Sequence, residues 1–315
     1  MTSTMPATRA VLLPGTGSDE TFVESVFAGP LAAAGVDALM PPPPAGAKLA
    51  VGFLTLLDSL ADGAGVPCGH TPCVLWGHSP HTPTGSKPPD RCVLWGHSPH
   101  TPTGGKPPDR CVLWGHSPHT PTGGKPPDPL KLIVGGISFG AHLAAEWAVR
   151  NPDRCAGLLL ALPAWHGSPD GAPASLAAKA SADLVETQGI EAALSLSTAG
   201  VVPWLAAELT RSWRRHGDDL AVSLRVAANR AAPTLSALRR LAVPTGIAAC
   251  VDDPVHPAGV AHAWAAALPR ASVSETTLAA LGADRASLGR AAVAALKRAA
   301  GPAAPRCAGR PRPAG

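Results

Sequence analysis

The sequence predicts an α/β fold, a mostly parallel central sheet with helices on both faces. Three observations point to it. Short apolar runs alternate along the chain with longer segments of helical spacing, the order that builds a parallel sheet with crossover helices. Those runs are continuously apolar, as strands covered on both faces must be. One of them, at 130–135, passes directly into Gly136-Ile137-Ser138-Phe139-Gly140 and then into a helical pattern.

The elements follow in order. Residues 10–13 are a short apolar strand ending in Pro14-Gly15-Thr16-Gly17, and a helical pattern covers 20–34. Residues 36–40 form a second strand, stopped by four prolines at 41–44, and 47–62 is an amphipathic helix. A buried strand at 130–134 leads through a tight turn to a helix over 141–150, and 156–162 is another apolar strand. Residues 173–240 are almost wholly helical in pattern. The chain closes with a strand at 245–251, a helix at 257–268, a weak strand at 271–277 and a helix at 285–299. The tail, 301–315, is expected to be disordered.

Between the two halves lies a repeat. Cys-Val-Leu-Trp-Gly-His-Ser-Pro-His-Thr-Pro-Thr-Gly begins at 73, 92 and 111, and the first two copies differ only at Ser86 against Gly105. Structural repeats that stack diverge except at core positions, so near-identity throughout points to recent duplication. Each copy carries four prolines around one Val-Leu-Trp run and cannot sustain a helix. Residues 67–129 are therefore expected to be an irregular, low-complexity insertion. Cys68, His70 and the Cys and His of each copy invite a zinc reading, but no Cys-x2-Cys pair occurs, and no metal site is expected. Without the insertion the chain is one comfortable domain, in core segments 1–66, 130–168 and 243–300 with helices at 169–242.

Composition narrows the function. The 315 residues are 45% hydrophobic and 15% charged, with net charge +4. Basic residues are scattered, apart from Arg211, Arg214 and Arg215 and the arginines of the tail, so no nucleic-acid partner is expected. No apolar run approaches the roughly 18 residues of a membrane span. No secretory leader is evident, and seven cysteines, three of them in the repeat, make no disulfide framework. A soluble, cytoplasmic protein without a cofactor is expected; the oligomeric state is open.

The turn at 136–140 carries the chemistry. A serine in a strained strand-to-helix turn presents its hydroxyl above the sheet edge. The small residues Gly136 and Gly140 let strand and helix approach. The Phe139 N–H, opening the helix, can stabilise an oxyanion. A similar Gly-His-Ser-Pro in each repeat (Ser79, Ser98, Ser117) is a decoy, because proline has no N–H to offer there.

Here the chain resembles the α/β-hydrolase family, over most of its length outside the insertion. The resemblance implies an oxyanion loop at 13–17, with Pro14 where that family commonly has His and the Thr16 N–H as second oxyanion donor. It implies an acid after a late strand, in Val251-Asp252-Asp253-Pro254-Val255-His256-Pro257. Asp253, directly before the Pro-x-x-Pro turn, is the better match, and Asp252 is the fallback. It implies a helical lid at 169–242, whose apolar face would include Leu176, Leu184, Trp204, Leu205, Leu209 and Trp213. Equally, those residues could be the core of a helical subdomain.

The pattern breaks at the base. The family places a histidine after the last strand, and no histidine follows His262. Asp284 or Arg285 stands in that region, with Asp284 resembling a helix cap. His256 is the first alternative base and His166 the second; both follow strand ends, where ligands bind in such sheets. His142, on the helix after Ser138, is read as structural. The expected function is a serine hydrolase acting on carboxylic esters or thioesters of an apolar acyl substrate. The alternative is a non-catalytic binding or regulatory protein of the same fold.

Overall fold

The computed structural model describes residues 9–63 and 130–301, which belong to one compact unit. The repeat insertion with its three decoy serines and its Cys and His residues lies outside the described residues, as does the tail beyond residue 301.

Six strands form one sheet in the order β2-β1-β3-β4-β5-β6, with every neighbouring pair parallel. The chain enters at β1 (Arg9–Leu13), crosses by α1 (Glu20–Ala32) to β2 (Asp37–Leu39), and returns through α2 (Leu49–Ala61). Then come β3 (Leu132–Ile137), α3 (Phe139–Arg150) and β4 (Cys155–Ala161). The sheet pairs Val11 with Val134 and Val134 with Leu158, so its centre is continuously apolar.

After β4 five helices follow without a strand: α4 (Pro173–Gln188), α5 (Ile190–Thr198), α6 (Pro203–His216), α7 (Leu220–Ala228) and α8 (Leu235–Leu238). Pro173 and Pro203 open α4 and α6, where a missing N–H costs nothing. The sheet resumes with β5 (Thr245–Cys250), α9 (Ala258–Ala267) and β6 (Ala271–Thr276). Two helices, α10 (Leu278–Ala283) and α11 (Ala286–Ala300), end the described chain.

Burial explains the layering. Val23, Val26 and Phe27 of α1 and Leu288 and Ala292 of α11 pack with Leu12, Leu159 and Ala248 of the sheet. On the α2 and α3 side Trp147 is fully buried, and its indole N–H donates to Asp58 at 2.8 Å. The lid helices have a small core of their own, Ala182, Ala193, Leu194, Trp213, Leu220, Ala221 and Leu224.

The expected elements are all present, and their ends differ. β3 runs on to Ile137 and α3 begins at Phe139, so the strand-to-helix turn is tighter than expected. The segment 278–283, left without an element between the weak strand and the last helix, is helix α10. No helix among the described residues is long and apolar enough to cross a membrane.

Candidate active site

Ser138 sits between β3 and α3 with φ 54° and ψ −116°, one of two non-glycine residues with positive φ among the described residues. Such a conformation costs on the order of 1–3 kcal/mol and persists only when its surroundings hold it. Here the Ser138 N–H donates to Ala161 O at 2.9 Å, and its carbonyl accepts from the His142 N–H at 3.1 Å. Glycine is required on both sides. A Cβ on Gly136 would strike the Leu13 carbonyl and the Gly140 backbone, and one on Gly140 would strike the Leu13 carbonyl.

The structure brings Ser138, His256 and Asp253 together. Ser138 Oγ lies 2.9 Å from His256 Nε2, and His256 Nδ1 lies 2.9 Å from Asp253 Oδ2. Asp253 Oδ1 accepts from the backbone N–H of Val255 at 2.8 Å and of His256 at 3.1 Å. Burial pushes the Asp253 carboxyl up. The hydrogen bonds from His256 and Val255, with the His256 charge, outweigh it and hold the carboxyl below its ordinary value. An ionised carboxylate only accepts, so Nδ1 is the protonated nitrogen. Nε2 is then free to accept from the serine hydroxyl. Asp253 and His256 come from one loop, three residues apart, directly after β5.

The loop at 14–19 closes the other side. A Cβ placed on Gly15 would lie 3.3 Å from Ile137 O and 3.4 Å from Ser138 Cβ, so its backbone runs against the serine. The Ser18 N–H donates to Gly15 O at 3.2 Å, making a turn with Thr16 at its bend. Among the described residues the N–H groups of Thr16 and Phe139 carry no backbone partner, and the buried Thr16 Oγ1 is unpaired. Phe139 is the first residue of α3, where an orphan N–H is inherent to the helix.

No family model matches the chain, and no curated protein matches it. Solved structures do. MenH from S. aureus superposes with a TM-score of 0.55 at 12% identity, covering 94% of this chain and 96% of that one. BpoC from Mycobacterium tuberculosis H37Rv gives 0.54 at 13% identity, covering 94% of each chain. A hydrolase from Oleispira antarctica gives 0.52 at 12% identity, covering 91% and 89%. The chain has the α/β-hydrolase fold. At such identities the likeness is one of fold.

Within that fold, the segment after β6 is a closed structure. Thr277 caps α10 by accepting from the Ala280 N–H at 3.0 Å, Leu281 is buried in the core, and Asp252 Oδ1 accepts from the Leu278 N–H at 2.7 Å. The Arg285 guanidinium lies 4.1 Å over the Trp204 ring. Asp252, the fallback acid, thus pins α10, and Asp253 alone faces His256. Asp284, in the turn between α10 and α11, accepts from the Ala286 N–H at 2.9 Å and pairs with Arg290 at 2.7 Å.

Two sequence expectations need correction. His166, the second-choice base, is exposed and takes no part in the hydrogen bonds around Ser138, because the loop after β4 turns Trp165 inward instead. Leu176, expected on the inner face of the lid, is 55% exposed, while Leu184, Leu209 and Trp213 build the lid core. His142 is structural, as read. It is buried, its Nε2 accepts from the N–H of Ala164 at 2.9 Å and of Trp165 at 3.4 Å, and it stacks on Trp264. Burial, with the nearby His256, pushes its pKa down to about 3. Burial raises the Cys155 and Cys250 thiols to about 12, so neither is a nucleophile at neutral pH.

Sequence reasoning missed the charged seam between lid and loop. Asp19, 1% exposed, accepts from the Thr21 and Phe22 N–H groups, capping α1, and pairs with Arg211 at 2.6 Å and Arg215 at 3.2 Å. The signals were there: an Asp-Glu helix start, and two arginines four apart on a predicted helix.

Proposed function

We propose that the protein is a serine hydrolase of carboxylic esters or thioesters, with Ser138 as nucleophile, His256 as general base and Asp253 as its orienting acid. The observation that carries this reading is the continuous pair of 2.9 Å contacts from Asp253 through His256 to a serine held at φ 54°. A serine hydroxyl is a weak nucleophile until a neighbouring base can take its proton. As Ser138 Oγ bonds to the substrate carbonyl carbon, its proton passes to His256 Nε2. Asp253 stabilises the imidazolium that results. The carbonyl oxygen gathers negative charge and is received by the N–H groups of Thr16 and Phe139, which have no backbone partner. Collapse expels the alcohol or thiol, which takes the proton from His256. Water activated by the same histidine then releases the acid.

The non-catalytic alternative drew its force from the missing histidine after β6. A histidine 2.9 Å from Ser138 Oγ, supplied by the loop after β5, weighs against it. The test is hydrolysis of a series of p-nitrophenyl esters and acyl thioesters, with fluorophosphonate labelling and peptide mapping, on wild type and Ser138→Ala. Turnover and labelling are expected in wild type and absent in the variant. Equal turnover by a folded Ser138→Ala protein overturns the reading.

A further inference from the structure

We propose that lid helix α6 is a clamp that holds the oxyanion loop in its working position, with Arg211 as its principal positioning residue. The inference rests on the serine-hydrolase reading, since it assigns the loop its task. The three loop residues after Thr16, and Glu20 at the start of α1, each meet α6. A Cβ on Gly17, which has φ +71°, would lie 3.0 Å from Trp213 Nε1. His216 Nε2 is 2.9 Å from Ser18 O. Asp19 takes Arg211 in a bidentate pair, Nη1 to Oδ2 at 2.6 Å and Nη2 to Oδ1 at 2.7 Å, and Arg215 at 3.2 Å. Glu20 pairs with Arg215, and Glu208 on α6 itself braces Arg211.

The seam is buried on its carboxylate side, while Arg211 and Arg215 stay partly open to solvent. Asp19 is 1% exposed and spends its carboxylate twice, on the helix cap and on the arginines. A planar guanidinium bound through two nitrogens fixes direction as well as distance, which an ammonium does not. The other end of the loop is held by the sheet, where Gly15 lies against Ser138. Thr16 therefore hangs between two anchors, one in the core and one in the lid. Oxyanion stabilisation depends steeply on donor placement, so a loosened anchor shows as lost turnover and not as lost substrate affinity.

The experiment compares Arg211→Met, Arg211→Lys and Asp19→Asn with wild type. Arg214→Met serves as control, because Arg214, on the exposed side of the same helix, pairs with Glu191 of α5 and not with the loop. For Arg211→Met, kcat is expected to fall tenfold or more with KM changed less than threefold. Arg211→Lys should recover only part of the loss, and Arg214→Met should match wild type. Backbone amide exchange at Ser18, Thr21 and Phe22, whose N–H groups donate to Gly15 O and to Asp19, should quicken about tenfold in Arg211→Met while β1 is unchanged. A folded Arg211→Met protein with wild-type kcat overturns the clamp, as does unchanged exchange at those three amides. If wild type and Ser138→Ala turn over alike, the serine-hydrolase reading fails first, and that result is distinct from either.

Discussion

Two neighbouring loops at the carboxyl end of the sheet, after β5 and after β6, are built to opposite ends. The loop after β5 holds Asp253 and His256 three residues apart, with Asp253 satisfied by its own loop's N–H groups and His256 reaching Ser138. The segment after β6 is capped by Thr277, packed by Leu281 and tied down by Asp252, with no histidine and no side chain among the hydrogen bonds of Ser138. Where the resemblance implies an acid after one strand and a histidine after the last, here Asp253 and His256 share one loop and the segment after β6 is scaffold. A charge-relay geometry is thus a requirement on where groups arrive, and chain order is free to vary as long as the imidazole lands between hydroxyl and carboxylate.

The comparison breaks first at the reactive groups. Ser138→Ala should lower ester turnover by a factor on the order of 10⁶, and His256→Ala by about 10²–10⁴ or more, at unchanged fold by circular dichroism. A His256→Ala protein with near wild-type kcat would return the base to some group outside the β5 loop.

Next comes the acid. Asp253→Asn keeps the size and the contacts to the Val255 and His256 N–H groups, but an amide can present its NH2 to Nδ1 and favour the wrong tautomer. A fall of about 10²–10⁴ in kcat is expected, with KM little changed. The pH profile adds a sign. Because the Asp253 carboxyl is held below its ordinary value, its share of stability is present at neutral pH and is lost as pH falls from the ordinary carboxylate value through its lowered folded one.

A third effect concerns the buried histidine behind the β5 loop. His142 anchors the backbone of Ala164 and Trp165 and packs on Trp264 of α9, the helix that follows the β5 loop. Its folded pKa is near 3 against 6.5 for a free imidazole, so below pH 6.5 the unfolded chain binds a proton that the folded chain refuses. Stability should therefore fall with acid by about 1.4 kcal/mol per pH unit from this group alone. His142→Gln, which keeps an acceptor and cannot ionise, should show a flatter dependence of Tm between pH 6.5 and 4.5, above the window of the carboxylates. Equal slopes in variant and wild type would remove His142 as the acid-sensitive element.

Much of this was legible in the residues. The turn at 136–140 announced itself through glycines whose absence of Cβ is a steric necessity, and continuous apolar runs located the strands. Asp253 could be named through the family resemblance, the Pro-x-x-Pro turn favouring it over Asp252, and His256 because it follows a strand end, but their pairing could not be derived. A three-residue spacing outside a helix leaves the imidazole direction to the backbone of Val255 and Pro254. The helix at 278–283 was missed because its signals are a threonine cap and a single buried leucine, weak against Gly282 and the short length. The Asp19 seam joins residues nearly 200 positions apart, and sequence shows such a pair only as two unassigned charges.

The smallest effect tests the comparison most finely. Asp252 and Asp253 are adjacent, chemically identical, and given opposite tasks: one holds the Leu278 N–H of the scaffold, the other His256. Asp252→Ala removes one partly exposed hydrogen bond, worth about 0.5–1.5 kcal/mol, and should lower Tm by a few degrees while leaving kcat within about threefold. The two loops are then separable, and the reactive pair depends on its own loop's N–H groups for alignment. A loss of kcat in Asp252→Ala comparable to that in Asp253→Asn would mean that the β6 segment holds the β5 loop in register. The scaffold would then be part of the catalytic alignment after all.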